Sequence, residues 1–291
     1  MSAAIWRTSR FAIDLARPRV MGIVNVTPDS FSDGVADFTP AQAIARCERL
    51  LKEGADILDV GGESSRPGAV PVSVETELAR LRPVLVAAVG LGCPISIDTT
   101  KPEVMRAALD LGADIVNDIA ALRTPGALAT VAAHPSCGVC LMHMRGTPRS
   151  MQGRPDYSEV VGEVTCFLRE RIDAASAAGI SRDRIVVDPG IGFGKTPAHN
   201  LELLARQDVL LALGVPILVG WSRKSTLARV TGVDAVPAAE RTPSDRTRLE
   251  AASVAAMLLA VQRGAAIVRV HDVSAAVAAL AVWQAASSVI R

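Results

Sequence analysis

Aromatic side chains are scarce in this chain of 291 residues: one Tyr, five Phe and three Trp make up 3% of it. So thin a supply excludes the stacked aromatic platforms on which single-stranded nucleic acids are held. An excess of charge of either sign is missing as well. Lys and Arg total 31, Asp and Glu 30, and the formal net charge is +1. A near-neutral chain exerts no global pull on a polyanion, so nucleic acid is not an expected partner. Long apolar runs are absent too: the most apolar stretch, residues 251–261, falls far short of the roughly 20 residues that cross a bilayer. The opening MSAAIWRTSRFAIDLARPRV scatters charges and holds no continuous apolar block. No export signal is read there, no membrane is expected as a partner, and a cytoplasmic setting is expected. Five cysteines, an odd number, fit reduced thiols better than a disulfide framework.

What the chain has in plenty is apolar substance. Hydrophobic residues make up 49% and charged ones 21%, enough for a large core. The length suits one α/β barrel of about 250 residues with small additions. A single domain over residues 1–291 is therefore expected, with no linker, tail or low-complexity segment.

Eight short apolar runs recur, at residues 20–26, 57–60, 95–97, 115–116, 139–142, 185–187, 217–219 and 266–270. Continuous rather than alternating apolar strands imply a parallel sheet buried on both faces. The stretches between them carry helix signals. Thr39 to Lys52 has apolar residues at helical spacing and ends at Gly54. Pro102 opens a helix that ends near Gly112, Gly179 closes one begun near Tyr157, and Gly264 closes one begun near Arg246. This alternation predicts an α/β fold, a (β/α)8 TIM barrel, with an open doubly wound sheet as the alternative. Residues 5–16 read as a short N-terminal strand or hairpin ahead of the barrel.

In such a barrel the chemistry lies at the C-terminal ends of the strands. There the sequence places Asn25 with residues 27–34, Asp59 with residues 61–68, and Asp98-Thr99-Thr100-Lys101. Asn117-Asp118, His143, Asp188, Ser222-Arg223-Lys224-Ser225, Arg269 and His271-Asp272 follow. The set divides by sign. Asp98, Asn117 and Asp188 suit a flat heterocycle with several N–H donors, because a carboxylate accepts two parallel N–H groups. Arg66, Arg223, Lys224, Arg269 and His271 suit an anion, helped by the helix start after Ser225. A ligand with a nitrogen-rich ring and a phosphate-type part follows. The segment PILVGWSRKST, residues 216–226, supports a site, because cations at a helix N-terminus oppose its dipole.

Other motifs carry less. Gly190–Thr196 looks like a phosphate loop, but Pro189 stands where that motif needs Gly. Cys137 and Cys140 form one CxxC with no second pair, and Cys140 falls in an apolar run, so packing is expected. His134 and His199 are expected at the surface near helix ends, and His143 in a structural hydrogen bond. Residues 241–248 read as a solvated face or loop.

The segments MGIVNVTPDSFSDG, DVGGESSRPGA, SIDTTKP, NDI, CLMHMRGTP, DPGIGFGKT, LVGWSRKS and IVRVHDV, in this order from about Val20 onward, resemble the dihydropteroate synthases. The resemblance implies a (β/α)8 barrel. It implies an enzyme that joins 6-hydroxymethyl-7,8-dihydropterin pyrophosphate to p-aminobenzoate in folate synthesis, with Mg2+ as cofactor and sulfonamides as inhibitors. It assigns Asp98, Asn117, Asp188 and Lys224 to the pterin, with Met142 and Phe193 packed nearby. It assigns Asn25 to Mg2+ and the pyrophosphate, Arg269 and His271 to the pyrophosphate, and Ser65, Arg66 and Ser225 to p-aminobenzoate. The first loop, with Asp29 and Phe31, is expected to close over the aminobenzoate site. Asp98, Asp188, Lys224 and Asp29 are the expected catalytic residues. A homodimer is implied, with the Ala-rich final helices as its surface. Ser65 stands where the family usually has Thr, Thr100 where Ser is common, and Ala252 where Gly is common; none removes a reacting group. A methyltransferase acting on a folate-type pterin, or a silent binding subunit, are the alternatives. The anion-binding groups at Ser222–Ser225 and Arg269–His271 argue against the first, and the full set of loop residues against the second.

Overall fold

In the computed structural model the chain is described over residues 5–27, 39–66, 68–151, 153, 155–236 and 240–289. It opens with an antiparallel hairpin, β1 (Ile5–Arg7) and β2 (Ala12–Asp14). Strands and helices then alternate: β3 (Arg19–Asn25), α1 (Pro40–Lys52), β4 (Ile57–Gly61), α2 (Val74–Ala88), β5 (Ile95–Asp98), α3 (Pro102–Asp110), β6 (Ile115–Asp118) and α4 (Ala127–Ala133). The second half continues with β7 (Gly138–Met142), α5 (Val160–Ala177), β8 (Ile185–Asp188), α6 (Pro197–Ala205), β9 (Ile217–Val219), α7 (Ser225–Val230), α8 (Pro243–Gln262), β10 (Ala265–Val270) and α9 (Val273–Val289). Strands β3 to β10 pair in parallel, each with the next in sequence. Closure comes from β10 pairing with β3, with Val268 opposite Val20. That pairing makes the sheet a barrel and rules out the open alternative.

Local chemistry sets where the helices begin. Thr39, Thr196 and Thr242 each form a capping box and each is followed by Pro, which suits the first helical turn. The Thr242 cap starts α8 at Pro243, ahead of the expected Arg246. Residues 243–248 are thus exposed helix, not loop.

Side chains alternate across each strand, so half of them enter the lumen. Met21, Ile57, Ile115, Cys140, Val186, Leu218 and Ile267 form one apolar lumen cluster together with Trp6 and Ile13 of the hairpin. The hairpin therefore plugs the N-terminal mouth. The Trp6 indole N–H donates to the Arg184 carbonyl at 2.9 Å. Gly138 makes room for it, since a Cβ there would meet Thr8 Cγ2 at 3.0 Å and Trp6 Nε1 at 3.1 Å. The opposite strand faces, with Val24, Val60, Val116, Leu141 and Val187, pack in the larger core under the helices. All five cysteines are free, and Cys137 and Cys140 are buried in packing roles.

The same alternation positions the site. Two residues beyond Ile57, Ser96, Ile115, Cys140, Val186 and Ile267 come Asp59, Asp98, Asn117, Met142, Asp188 and Arg269. A polar layer thus lies above the apolar one, toward the C-terminal mouth. Among the described residues no helix is long and apolar enough to cross a membrane.

Candidate active site

The floor of the C-terminal mouth is held by one guanidinium. Arg269 donates from Nε to Asp59 Oδ2 at 2.6 Å and from Nη2 to Asp98 Oδ2 at 2.8 Å. Asp59 Oδ2 also accepts from Asn117 Nδ2 at 3.1 Å. Strands β4, β6 and β10 are not mutual neighbours, so these bonds cross the lumen. Burial opposes the Arg269 charge, but Asp59 and Asp98 outweigh it and raise its pKa. Asp98 is pushed up to about 7 by burial; Arg269 pulls it down, and Asp59, Glu77 and Asp118 push it further up. Arg269, expected on the anion side, thus joins the acid set to the cation set, because a buried guanidinium needs counter-charge. Asp118 turns away from this network and accepts from the backbone N–H groups of Ala120 and Leu122, both at 2.7 Å.

The opposite wall is a glycine loop. Asp188 Oδ1 accepts from Gly190 N at 2.7 Å, and its carbonyl accepts from His143 N at 2.9 Å. Burial raises the Asp188 pKa, against the Gly190 bond and the charges of Lys224, Lys195 and Arg269. Gly190, Gly192 and Gly194 have φ of 70°, 85° and 63°, a region that favours glycine. A Cβ on Gly190 would lie 1.9 Å from the His143 carbonyl oxygen. Beneath the loop Lys195 Nζ lies 2.9 Å from His143 Nδ1, 2.9 Å from the Gly190 carbonyl and 3.1 Å from the Phe193 carbonyl. Only 2% exposed, this lysine is committed to its own loop rather than to a phosphate. Burial, with Lys195 beside it, lowers His143 to about 2, so the imidazole is neutral and Nδ1 accepts.

Lys224 enters the cavity from the start of α7. Its ammonium stands 4.3 Å over the Phe193 ring, and burial lowers its pKa to about 8 despite Asp188. Phe193 in turn packs on Ile119, Met142, Met144 and Met151. Arg223, just before Lys224, has a left-handed φ of 58°. Its N–H donates to Ser253 Oγ at 3.0 Å and its guanidinium to both Asp272 oxygens, at 2.6 and 3.1 Å. Arg223 therefore braces the turn that aims Lys224 inward. Ala252, beside Ser253, is half-buried against the core. Asn200 ties the two walls: it donates to Thr226 Oγ1 at 2.8 Å and accepts from Gly192 N at 2.9 Å.

At the anion pole, His271 Nδ1 lies 3.0 Å from Ser222 Oγ. Burial pulls its pKa well down, helped by the charges of Arg223, Arg269, Arg46 and Arg66. Arg46 of α1 donates to the carbonyls of Ile23 and His271, at 3.2 and 3.0 Å. Asn25 ends β3, half-buried, with no hydrogen-bond partner for its side chain among the described residues. Ser65 is half-buried and Arg66 exposed on the loop after β4, and Ser225 is exposed at the first turn of α7. Asp29 and Phe31 lie outside the described residues.

Lys195 and Arg46 have no site role in the sequence reading, and Asp59 is placed at the mouth there without one. Asp59 has a lumen position that follows from its spacing to Ile57. Lys195 was set aside with the phosphate-loop likeness. Arg46 sits on a helix and carried no local signal.

Residues 21–271 match the family described as pterin binding enzyme. The chain is 51% identical over 290 residues to a dihydropteroate synthase of Neisseria meningitidis serogroup B, with 98% of each covered. The Xanthomonas albilineans dihydropteroate synthase solved with 4-aminobenzoic acid matches with a TM-score of 0.88 at 51% identity, covering 98% of this chain and 99% of that one. The Burkholderia cenocepacia dihydropteroate synthase complexed with 7,8-dihydropteroate matches with a TM-score of 0.86 at 47% identity, covering 99% and 98%.

The raised pKa of Asp98 predicts a pH signature. Folded, its carboxyl titrates near 7 instead of the ordinary 3.8, so the folded state keeps a proton that the unfolded state gives up. The stability this contributes is full below about pH 4 and is lost as pH rises through 7. Relative to Asp98→Asn, the native protein should therefore lose stability between pH 4 and 8. Urea unfolding of both proteins across that range checks the sign, and a rising difference would contradict it.

Proposed function

The chain belongs to the pterin binding enzymes and, within them, to the dihydropteroate synthases, and from that membership we infer its reaction. It joins 6-hydroxymethyl-7,8-dihydropterin pyrophosphate to p-aminobenzoate, giving 7,8-dihydropteroate and pyrophosphate in folate biosynthesis. The observation that carries the reading is the two-poled mouth. Asp98, Asn117 and Asp188 line one side with Lys224 and Phe193. His271 stands on the other amid Arg46, Arg66 and Arg223.

The arylamine of p-aminobenzoate is the nucleophile, so the chain need not supply one. Because that amine is weak, ionisation of the leaving group leads. The methylene C–O bond breaks, positive charge spreads into the pterin, and pyrophosphate departs as an anion. The amine nitrogen then bonds the methylene carbon and its proton passes to pyrophosphate or water. Asp98 and Asp188 face the cationic side. Burial keeps both poised for protonation in the free protein, and a developing cation favours their ionised forms. His271 faces the leaving group, within the electrostatic field of Arg223, Arg269, Arg46 and Arg66. Fixed groups set against developing charge are worth roughly 3–4 kcal/mol each when removed singly. Lys224 reaches the ring's polar edge over Phe193. Ser65, Arg66 and the first turn of α7 at Ser225 receive the aminobenzoate carboxylate.

Mg2+ is the cofactor we propose. Among the described residues no group of three or more His, Cys, Asp or Glu side chains gathers to hold a metal. The half-buried Asn25 side chain would hold it, since an amide oxygen is a hard donor of the kind Mg2+ takes. When bound it neutralises charge on the leaving pyrophosphate. The working unit is a homodimer: Val282 and Val289 of α9 are 71% and 85% exposed, an apolar face suited to a second copy. The five free thiols suit the cytoplasm.

Calorimetry should detect dihydropterin pyrophosphate binding, and addition of p-aminobenzoate with Mg2+ should release pyrophosphate and dihydropteroate. Asp188→Asn should weaken pterin binding at least tenfold while p-aminobenzoate binding changes little; equal loss of both would sink the assignment. Asn25→Ala should raise the Mg2+ concentration needed for half-maximal turnover, and an unchanged metal titration would count against its role. Sedimentation equilibrium at micromolar protein should give twice the chain mass of 30.4 kDa; a monomer would refute the dimer.

A further inference from the structure

We propose that Lys101 is a positioning residue for the second substrate: by bridging Glu63 and Glu77 it fixes the loop that carries Ser65 and Arg66. The proposal rests on the reading of that loop as the aminobenzoate site.

Lys101 is the N-cap residue of α3, with extended backbone and no side-chain cap. A cation there opposes the helix dipole, as Lys224 does at α7. Its ammonium instead reaches back to Glu63 and to Glu77, the latter at 2.5 Å. Glu63 is the second residue past β4, directly ahead of Ser64 and Ser65. Glu77 lies in the first turn of α2 and is fully buried. The other Glu77 oxygen, Oε1, is buried with no partner, so Lys101 is the one counter-charge found for it among the described residues. Burial disfavours the ammonium, yet the hydrogen bonds it donates to both acids outweigh this and its pKa is raised.

Two carboxylates beneath a loop that receives an anionic substrate are electrostatically unfavourable, so they serve another purpose. That purpose is geometric. Gly62 rests directly on α2: a Cβ there would meet Leu81 Cγ at 2.8 Å and Glu77 Cγ at 3.0 Å. Arg80 of α2 donates to the Gly62 carbonyl at 2.9 Å. At the far end Gly68 N donates to the Pro148 carbonyl at 3.1 Å. These anchors hold backbone at the two ends of the loop. The Lys101–Glu63 contact grips a loop side chain from a rigid helix start, one residue before the hydroxyls and Arg66. Sites supported in this way lose rate or affinity when they loosen by even an ångström.

Steady-state kinetics of Lys101→Met in the full chain test the proposal. The KM for p-aminobenzoate should rise roughly tenfold or more, with the KM for dihydropterin pyrophosphate and kcat nearly unchanged. Lys101→Arg should restore most of the loss. Removing Lys101 leaves Glu77 buried without its counter-charge, so the melting temperature should fall by roughly 10 °C. The double variant Lys101→Met/Glu77→Met should regain that temperature yet keep the raised KM, because Glu63 is still unheld. An unchanged KM in Lys101→Met, or a double variant that recovers both properties, overturns the proposal. Arg66→Ala serves as the control. If it leaves the p-aminobenzoate KM unchanged, the reading of the loop has failed and the inference falls with it.

Discussion

A guanidinium caught between two carboxylates, Asp59 fully buried and Asp98 partly so, governs this molecule. Arg269 comes from the last strand of the barrel, Asp59 and Asp98 from the second and third, so the contact exists only when the barrel has closed. Losing one partner of such a buried set typically costs about 3–5 kcal/mol, since the remaining charge stays desolvated. The apolar layer beneath, from Met21 to Ile267, keeps water from relieving that charge. Asn117 fills one further acceptor position, and Asp59 Oδ1 is left without a partner. Charge that is hard to satisfy is thereby concentrated where a ring with several N–H groups can satisfy it.

The same logic recurs away from the floor. Lys195 is buried under the glycine loop and binds its carbonyls, and Lys101 is gripped by two acids beneath the loop after β4. Arg223 is turned into the left-handed region and locked to Asp272. Each of these basic side chains holds a segment of chain. Lys224 differs: its ammonium stands over the Phe193 face in the field of Asp188, with no ion pair or side-chain hydrogen bond among the described residues. Several basic side chains that are tied down thus prepare one that stays available.

Much of this was legible in the chain. The eight apolar runs became the eight barrel strands because a parallel strand covered on both faces has no polar side to show. Several strands run one or two residues further than their apolar runs, into Asp98, Asn117-Asp118 and Asp188. Ladder hydrogen bonds do not depend on side-chain polarity, so hydropathy marks the end of a strand too early. The start of α8 was placed late because the Thr242–Pro243 cap carries more weight than apolar spacing. Lys195 was opaque for a different reason. Its acceptors come from residues 143, 190 and 193, gathered by three glycines with positive φ. No linear pattern reports a partner delivered by a turn. Asp59 was within reach: once Ile57 is taken to face inward, the alternation puts Asp59 inward too.

The hairpin that stoppers the barrel decides how traffic moves through it. With Trp6 and Ile13 packed against the lumen cluster, the described residues stopper the N-terminal end, and a guest that rests against the acids approaches from the C-terminal mouth.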